Sequence, residues 1–464
     1  MRNLEVIFGE KSKFFSPLYA FLYFLLVLGF GFFFQLSILK ISFLIFLPIV
    51  IIWVSLDIFW HILLLYFLVA FKYIYFNLAK SISLHSIFIP FSFLALIFYC
   101  LNQKKGLNTS EFIKNKIKGF WENPLNFLYL LLFASLVSTI FAKSFRHSIH
   151  YWIMLLQFIF LYYWIKLSVR SVKNINKIFW MIFIVNIIII PLGIKAIITT
   201  NNRLAILGFS SNEYGAYLGF ILYSLLSLIF LEKRKFLKLI LIFLLLVTII
   251  SIIATKSRGS QLALLVSLLV FFLLMSKGYK KKIITILAIL LIFSPILINI
   301  GYEYIERFKS LQVGKFSTSD IERVGIWFSS IKLFQTSPFW GVGPNNFGNN
   351  YYKYFPFKHI IRTDLKRHAH NMYLNTLVEF GILGVLVLLV TLSYFFFRIL
   401  HLKRSDNNNI SIIGNSLLGF YVFFIVFNLF GTAWTIVGRQ VQTTNLVIII
   451  FIINNIESFF LNEN

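Results

Sequence analysis

Cysteine is almost absent from this 464-residue chain: Cys100 stands alone, so no intrachain disulfide can form and the thiol says nothing about compartment. Charge is scarce as well, with 13% Asp, Glu, Lys and Arg against about 25% in ordinary soluble proteins. Acid is scarcest, 16 Asp and Glu against 43 Lys and Arg. No Asp-x-Asp pair, Walker loop, Rossmann glycine fingerprint or Gly-x-Ser-x-Gly elbow occurs. Neither does an internal repeat, a Pro/Ser-rich linker or a break in composition, which leaves a single integral domain, 1–464, as the expectation. A disulfide-stapled domain and a nucleotide-handling site of the familiar kinds are thereby excluded.

What fills the chain instead is hydrophobic sequence, 59% of it. A membrane helix needs about 20 apolar residues. That template predicts an all-α polytopic membrane protein of 12–14 transmembrane helices, with later spans near 125–142, 152–168, 178–198, 214–231, 236–254, 261–275, 283–300, 372–399, 411–430 and 440–460. Four further candidates fall in residues 1–101, where Lys40, Asp57, Lys72 and Lys80 interrupt them. The basic N-terminus runs into an apolar stretch too long for a cleavable signal, which reads as a first anchor. A net charge of +27 would point to nucleic acid in a soluble protein, but here the Lys and Arg lie in short runs between apolar segments. They orient the chain, and nucleic acid is not an expected partner. Counted over the short connections, they favour an inward N-terminus, an inward C-terminus and an outward face for 199–213, 255–260 and the long segment 301–371.

That long segment is the largest part of the chain unable to lie in lipid. Ser319, with Glu322 three residues on, matches a capping box, and Ile321, Val324, Trp327 or Phe328, Ile331 and Phe334 recur at helical steps. An amphipathic helix over 320–335 follows, lying on the membrane or on the bundle and stopped by Ser337-Pro338. Beyond it Trp340, Phe347, Tyr351, Tyr352, Tyr354 and Phe355 form either an interfacial belt or a set of sugar-stacking platforms.

Candidate chemistry is sparse. His368, His370 and nearby His359 lack the carboxylate pair or cysteine that would complete a zinc set, so no metal and no cofactor is expected. The outward segments do carry Arg203, Arg258 and Arg323, whose planar donor forks suit the oxygens of a diphosphate. Snorkelling to lipid headgroups is the plainer reading of any one arginine. His370 has an ordinary pKa suited to accepting a proton near neutrality. Glu379, nine residues on, lies roughly 13 Å further along the same helix. It reads as a partner for a buried arginine or as a packing group rather than a base.

Four motifs then carry a resemblance: Ser257-Arg258-Gly259, Arg323 in Glu-Arg-Val-Gly-Ile-Trp, the Gly341-Val342-Gly343-Pro344 turn, and His370-Asn371 followed after nine residues by Gly381-Ile-Leu-Gly384. Together they resemble the O-antigen ligase and O-antigen polymerase family of bacterial inner membranes, described with about twelve spans. The resemblance implies a metal-independent glycosyltransferase of lipopolysaccharide biosynthesis acting at the periplasmic face, with both termini cytoplasmic. Its donor would be a glycan on undecaprenyl diphosphate and its acceptor a lipid A-core or other glycan hydroxyl, within membrane lipids. In that reading His370 is the base, Arg203, Arg258 and Arg323 bind the diphosphate, and Asn371, Glu379, Gly341 and Gly343 support them. Ligase is the expected type. A polymerase joining lipid-linked repeats is the alternative, and a polysaccharide flippase the rival of another class.

Overall fold

The computed structural model describes residues 125–169, 175, 177–180, 182–184, 187, 210–275, 318–357, 368–431 and 448–457, all within the compact unit Lys105–Asn464. Arg203, the four spans expected in 1–101 and the span near 283–300 lie outside the described residues. Every regular element among those described is helical, and the protein is an all-α polytopic membrane protein.

The helices in chain order are α1 Leu125–Ile140, α2 Phe145–Ser168, α3 Ser211–Leu231, α4 Lys235–Ala254, α5 Arg258–Met275, α6 Thr318–Thr336, the single turn α7 Phe347–Asn350, a 3-10 turn Tyr351–Tyr354, α8 Met372–Lys403 and α9 Asn408–Asn428. Four of them, α3, α4, α8 and α9, are long and apolar enough to cross a membrane. Burial separates their roles. In α3 nearly every residue from Tyr214 to Ile229 is buried, whereas α4 buries only Leu241, Thr248, Ser251 and Ile252. A helix apolar all round and buried on one narrow side is one whose other sides face lipid. The bundle centre is α3 against α5 and α9, with α9 also against α8. Close approach there requires glycine: a Cβ at Gly219 would meet the Phe423 ring, and one at Gly419 the Tyr223 ring.

Local chemistry sets the ends. Ser210 and Glu213 form a reciprocal capping box that starts α3 at Ser211, three residues before the hydrophobic run would place it. Asn407 caps α9 through the Asn409 and Ile410 amides. In α6 the helix already runs at Thr318, so Ser319 sits in its first turn and not at its cap. Its far end is as expected: it stops at Thr336, and the Ser337 hydroxyl donates to the Gly341 carbonyl.

α6 is expected on the membrane or on the bundle, and its apolar stripe faces outward. Gly325, Ile326, Ser329, Ser330 and Leu333 are buried, while Val324, Trp327, Phe328 and Ile331 are exposed. Small residues permit close approach, so the helix packs through its least bulky side. A Cβ at Gly325 would meet the Phe355 ring.

Candidate functional site

α8 is broken at Gly381, which takes φ 65 and ψ −161 in the middle of an otherwise continuous run. A break strands amides and carbonyls, which must find partners inside a membrane protein. Here the Gly-Val-Gly turn supplies them. The Val342 and Gly343 amides donate to the carbonyls of Val378 and Glu379, at 2.9 and 3.1 Å, and the amides of Ile382 and Leu383 donate to Pro338 and Phe339, at 2.9 and 3.4 Å. The turn is therefore spliced into the helix. Gly341 and Gly343 both have left-handed φ, and a Cβ on Gly341 would stand 2.3 Å from the Glu379 carbonyl carbon, against backbone that cannot yield. From the other side Ser138, near the end of α1, donates to the Glu379 carbonyl at 2.7 Å, and Asn346 donates to Ser144 and Ser148 of the α1–α2 turn and the first turn of α2.

Residues 382–403 alone span about 33 Å, enough to cross the roughly 30 Å hydrocarbon core. The nine residues before the break are joined to the turn and to the end of α1. Among the described residues Glu379 pairs with no arginine. Its carboxylate accepts from the Phe347 amide at 3.2 Å, with the Asn345 amide and the Asn375 side chain as further donors. It anchors the start of α7, the packing role among the two read from sequence.

His370 stands at the mouth of α8. It is half-buried and adopts φ 52, a left-handed conformation that costs a non-glycine residue about 1–2 kcal/mol. Its neighbours hold it there. The Asn371 side chain accepts from the Leu374 amide at 3.0 Å and caps α8, the Trp327 indole donates to the Ala369 carbonyl at 3.1 Å, and the Ala369 amide reaches Asn375 Oδ1 at 3.4 Å. Trp327 lies one helical turn beyond Arg323, so α6 brings Arg323, exposed at its start, to the same side of the loop as His370. One hydrophobic core joins the two segments: Ile326, Leu333, Val342, Phe347, Tyr351, Phe355, Ala369 and Val378. Phe347, Tyr351 and Phe355 thus hold the loop together and offer no platform to a sugar. Trp340 remains exposed, and Tyr352 and Tyr354 partly so.

Arg258 is the first residue of α5 and half-buried. The corner before it turns on Lys256, at φ 49, and is built from hydroxyls: Thr255 Oγ1 accepts from the Ser257 amide, Ser260 Oγ bonds Ser257 Oγ at 2.9 Å, and Gln261 reaches back to the Ile253 carbonyl. A Cβ at Gly215 of α3 would strike Ser260 Oγ, so α3 clamps this corner from below. The end of α9 connects it to His370. Phe430 packs on Gly259, and the Ile425 carbonyl accepts from the Tyr373 hydroxyl at 3.1 Å. The start of α5, the end of α9 and the start of α8 therefore share one end of the bundle, and Arg258, Arg323 and His370 are all found there.

Among the described residues no three His, Cys, Asp or Glu side chains converge as a metal site would require. Two contributors escaped the sequence reading, Asn375 and the α1–α2 turn, and Trp327 was read only as part of a stripe and a motif. Asn375, a polar residue inside an apolar run, left a signal of its own.

Comparison with known proteins gives one family. Residues 243–389, from mid-α4 to just past the broken α8, match the family described as O-antigen ligase. No curated protein matches this chain.

Proposed function

Taking residues 243–389 as O-antigen ligase sequence, we propose that this chain transfers a glycan from undecaprenyl diphosphate to an acceptor hydroxyl at the periplasmic face of a bacterial inner membrane. The observation that carries this reading is the meeting of Arg258, Arg323 and His370 at one end of the bundle, with His370 in a held left-handed conformation. The acceptor hydroxyl attacks the anomeric carbon and forms the new C–O bond as the bond to the diphosphate oxygen breaks. His370 takes the hydroxyl proton. Arg258 and Arg323, with Arg203 assisting, neutralise the negative charge that builds on the diphosphate as it departs. Guanidinium forks suit this better than ammonium groups, because they meet two oxygens at once.

The acceptor we propose is a lipid A-core sugar, which makes the chain a ligase. Electrophoresis of a deletion strain tests this directly. Loss of a ligase strands long polymer on the carrier, loss of a polymerase leaves single repeats on the acceptor, and an unchanged ladder sinks both. A flippase would move lipid-linked glycan across reconstituted vesicles without any new glycosidic bond.

A further inference from the structure

The lipid-facing surface of α1 ends in an ordered sequence of side-chain types. Phe133, Leu136 and Ile140 form an exposed apolar column on one side of the helix. Directly above it the exposed Phe141 stacks on the exposed Trp340, centroids 5.2 Å apart and planes 13° from parallel. Phe339 and Phe145, both more than half exposed, flank the pair. Next comes Lys143, whose ammonium donates to Thr336 Oγ1 at 3.3 Å, and near enough to repel it is the exposed Lys353 of the 3-10 turn. Among the described residues no carboxylate pairs with either lysine. Burial first, and then the Lys353 ammonium, hold Lys143 below the usual lysine range. Two cations that repel each other and share no counter-charge are a place for an anion.

Apolar, then aromatic, then cationic is the order met on passing from the hydrocarbon of a bilayer through its interface to its phosphates. We propose that Lys143 and Lys353, above the Phe141–Trp340 stack, bind the phosphate of an anionic phospholipid headgroup and seat the α1–α2 turn and loop core on the bilayer surface. This rests on the chain crossing a membrane and is independent of the glycan-transfer reading. The Lys143 amide donates to the Val342 carbonyl, and the Val342 amide to Val378. The headgroup level is thus tied to residue 378, about 9 Å along the helix from Met372, where α8 begins just after His370. The reacting atoms are then held in water, clear of the hydrocarbon, at a height set by the lysine pair.

The test uses the full chain in nanodiscs of phosphatidylcholine and phosphatidylglycerol, with retained lipid counted by native mass spectrometry. Lys143→Gln with Lys353→Gln should lower phosphatidylglycerol retention about thirty-fold and leave phosphatidylcholine retention unchanged, at the usual worth of two surface lysines. A spin label on Lys143→Cys, in a Cys100→Ser background, should report the headgroup depth. Retention within about two-fold of wild type overturns the assignment, as does a label reading bulk water or mid-bilayer. Should glucose 6-phosphate displace the lipid at equal concentration, the pair is a sugar-phosphate subsite instead and the proposal fails.

Discussion

Arg258 and Arg323 are the same side chain in opposite settings. Arg258 grows from a corner in which Thr255, Ser257, Ser260 and Gln261 bond one another or nearby backbone, clamped by α3 and covered by Phe430. Arg323 projects from an exposed position on a helix whose backbone is firmly packed. The corner fixes where the Arg258 guanidinium can reach before any ligand arrives. Arg323, exposed where Arg258 is half-buried, is the more accessible of the two to an arriving donor. In the proposed reaction both meet the diphosphate, Arg258 chiefly in the transition state and Arg323 also in capture.

The harshest way to break this comparison is Gly341→Val, which drives a side chain into the Glu379 backbone. More than about 4 kcal/mol should be lost from the loop, in the range of severe core damage. Transfer should vanish with Arg323 and His370 displaced, while limited proteolysis finds the α4–α5 corner still protected. Next is Arg258→Lys, expected to lower kcat by about 10²–10³ with little change in KM, since a point charge cannot replace a preorganised fork. Arg323→Lys should act the other way, raising the donor KM about ten-fold with kcat nearly kept, as loss of uniform binding does. Equal effects on kcat from both arginines would remove the distinction. Milder still, Asn371→Ala removes the cap of α8 and should cost about 1 kcal/mol, seen as a lower Tm and a slower His370-dependent step.

The smallest effect is a control at the α3–α4 connection, remote from both arginines. The side-chain bonds from Arg234, at 2.9 Å, hold the Glu232 carboxyl down to about 2. A depressed carboxyl stabilises above its ordinary value of 4.5, and that contribution fades as pH falls towards 2. Arg234→Gln should return the titration to the ordinary range, read by acid-induced loss of helicity, with transfer at neutral pH unchanged.

Much of this was legible in the sequence. The spans near 125–142, 152–168, 214–231, 236–254, 261–275, 372–399 and 411–430 correspond to observed helices because apolar length is a direct reading of membrane thickness, and the Gly-Val-Gly turn, His370-Asn371 and Gly381 were carried by the family resemblance. Their relation to one another was not. Nothing in the order of residues says that 342 bonds 378, since that pairing depends on a break whose groups seek partners across 36 positions of chain. The α6 stripe was legible, but not the direction it faces: periodicity finds the greasy side of a helix, and only the packing through Gly325, Ser329 and Ser330 turns that side outward. Glu379 was legible as an ionisable group inside a helix, but its partner, the Phe347 amide, was not, because a separate turn supplies it.

The splice between turn and helix also dictates an order of manufacture. Val342 leaves the ribosome well before Val378 and Glu379, and until those residues arrive the turn has no acceptors for its amides and Ser138 none for its hydroxyl. The loop must therefore wait, unlocked, for α8 to form. A nascent chain cut short before position 378 would expose that unsatisfied turn to quality-control proteases, whereas one completed past Leu383 closes four backbone bonds in a single docking event.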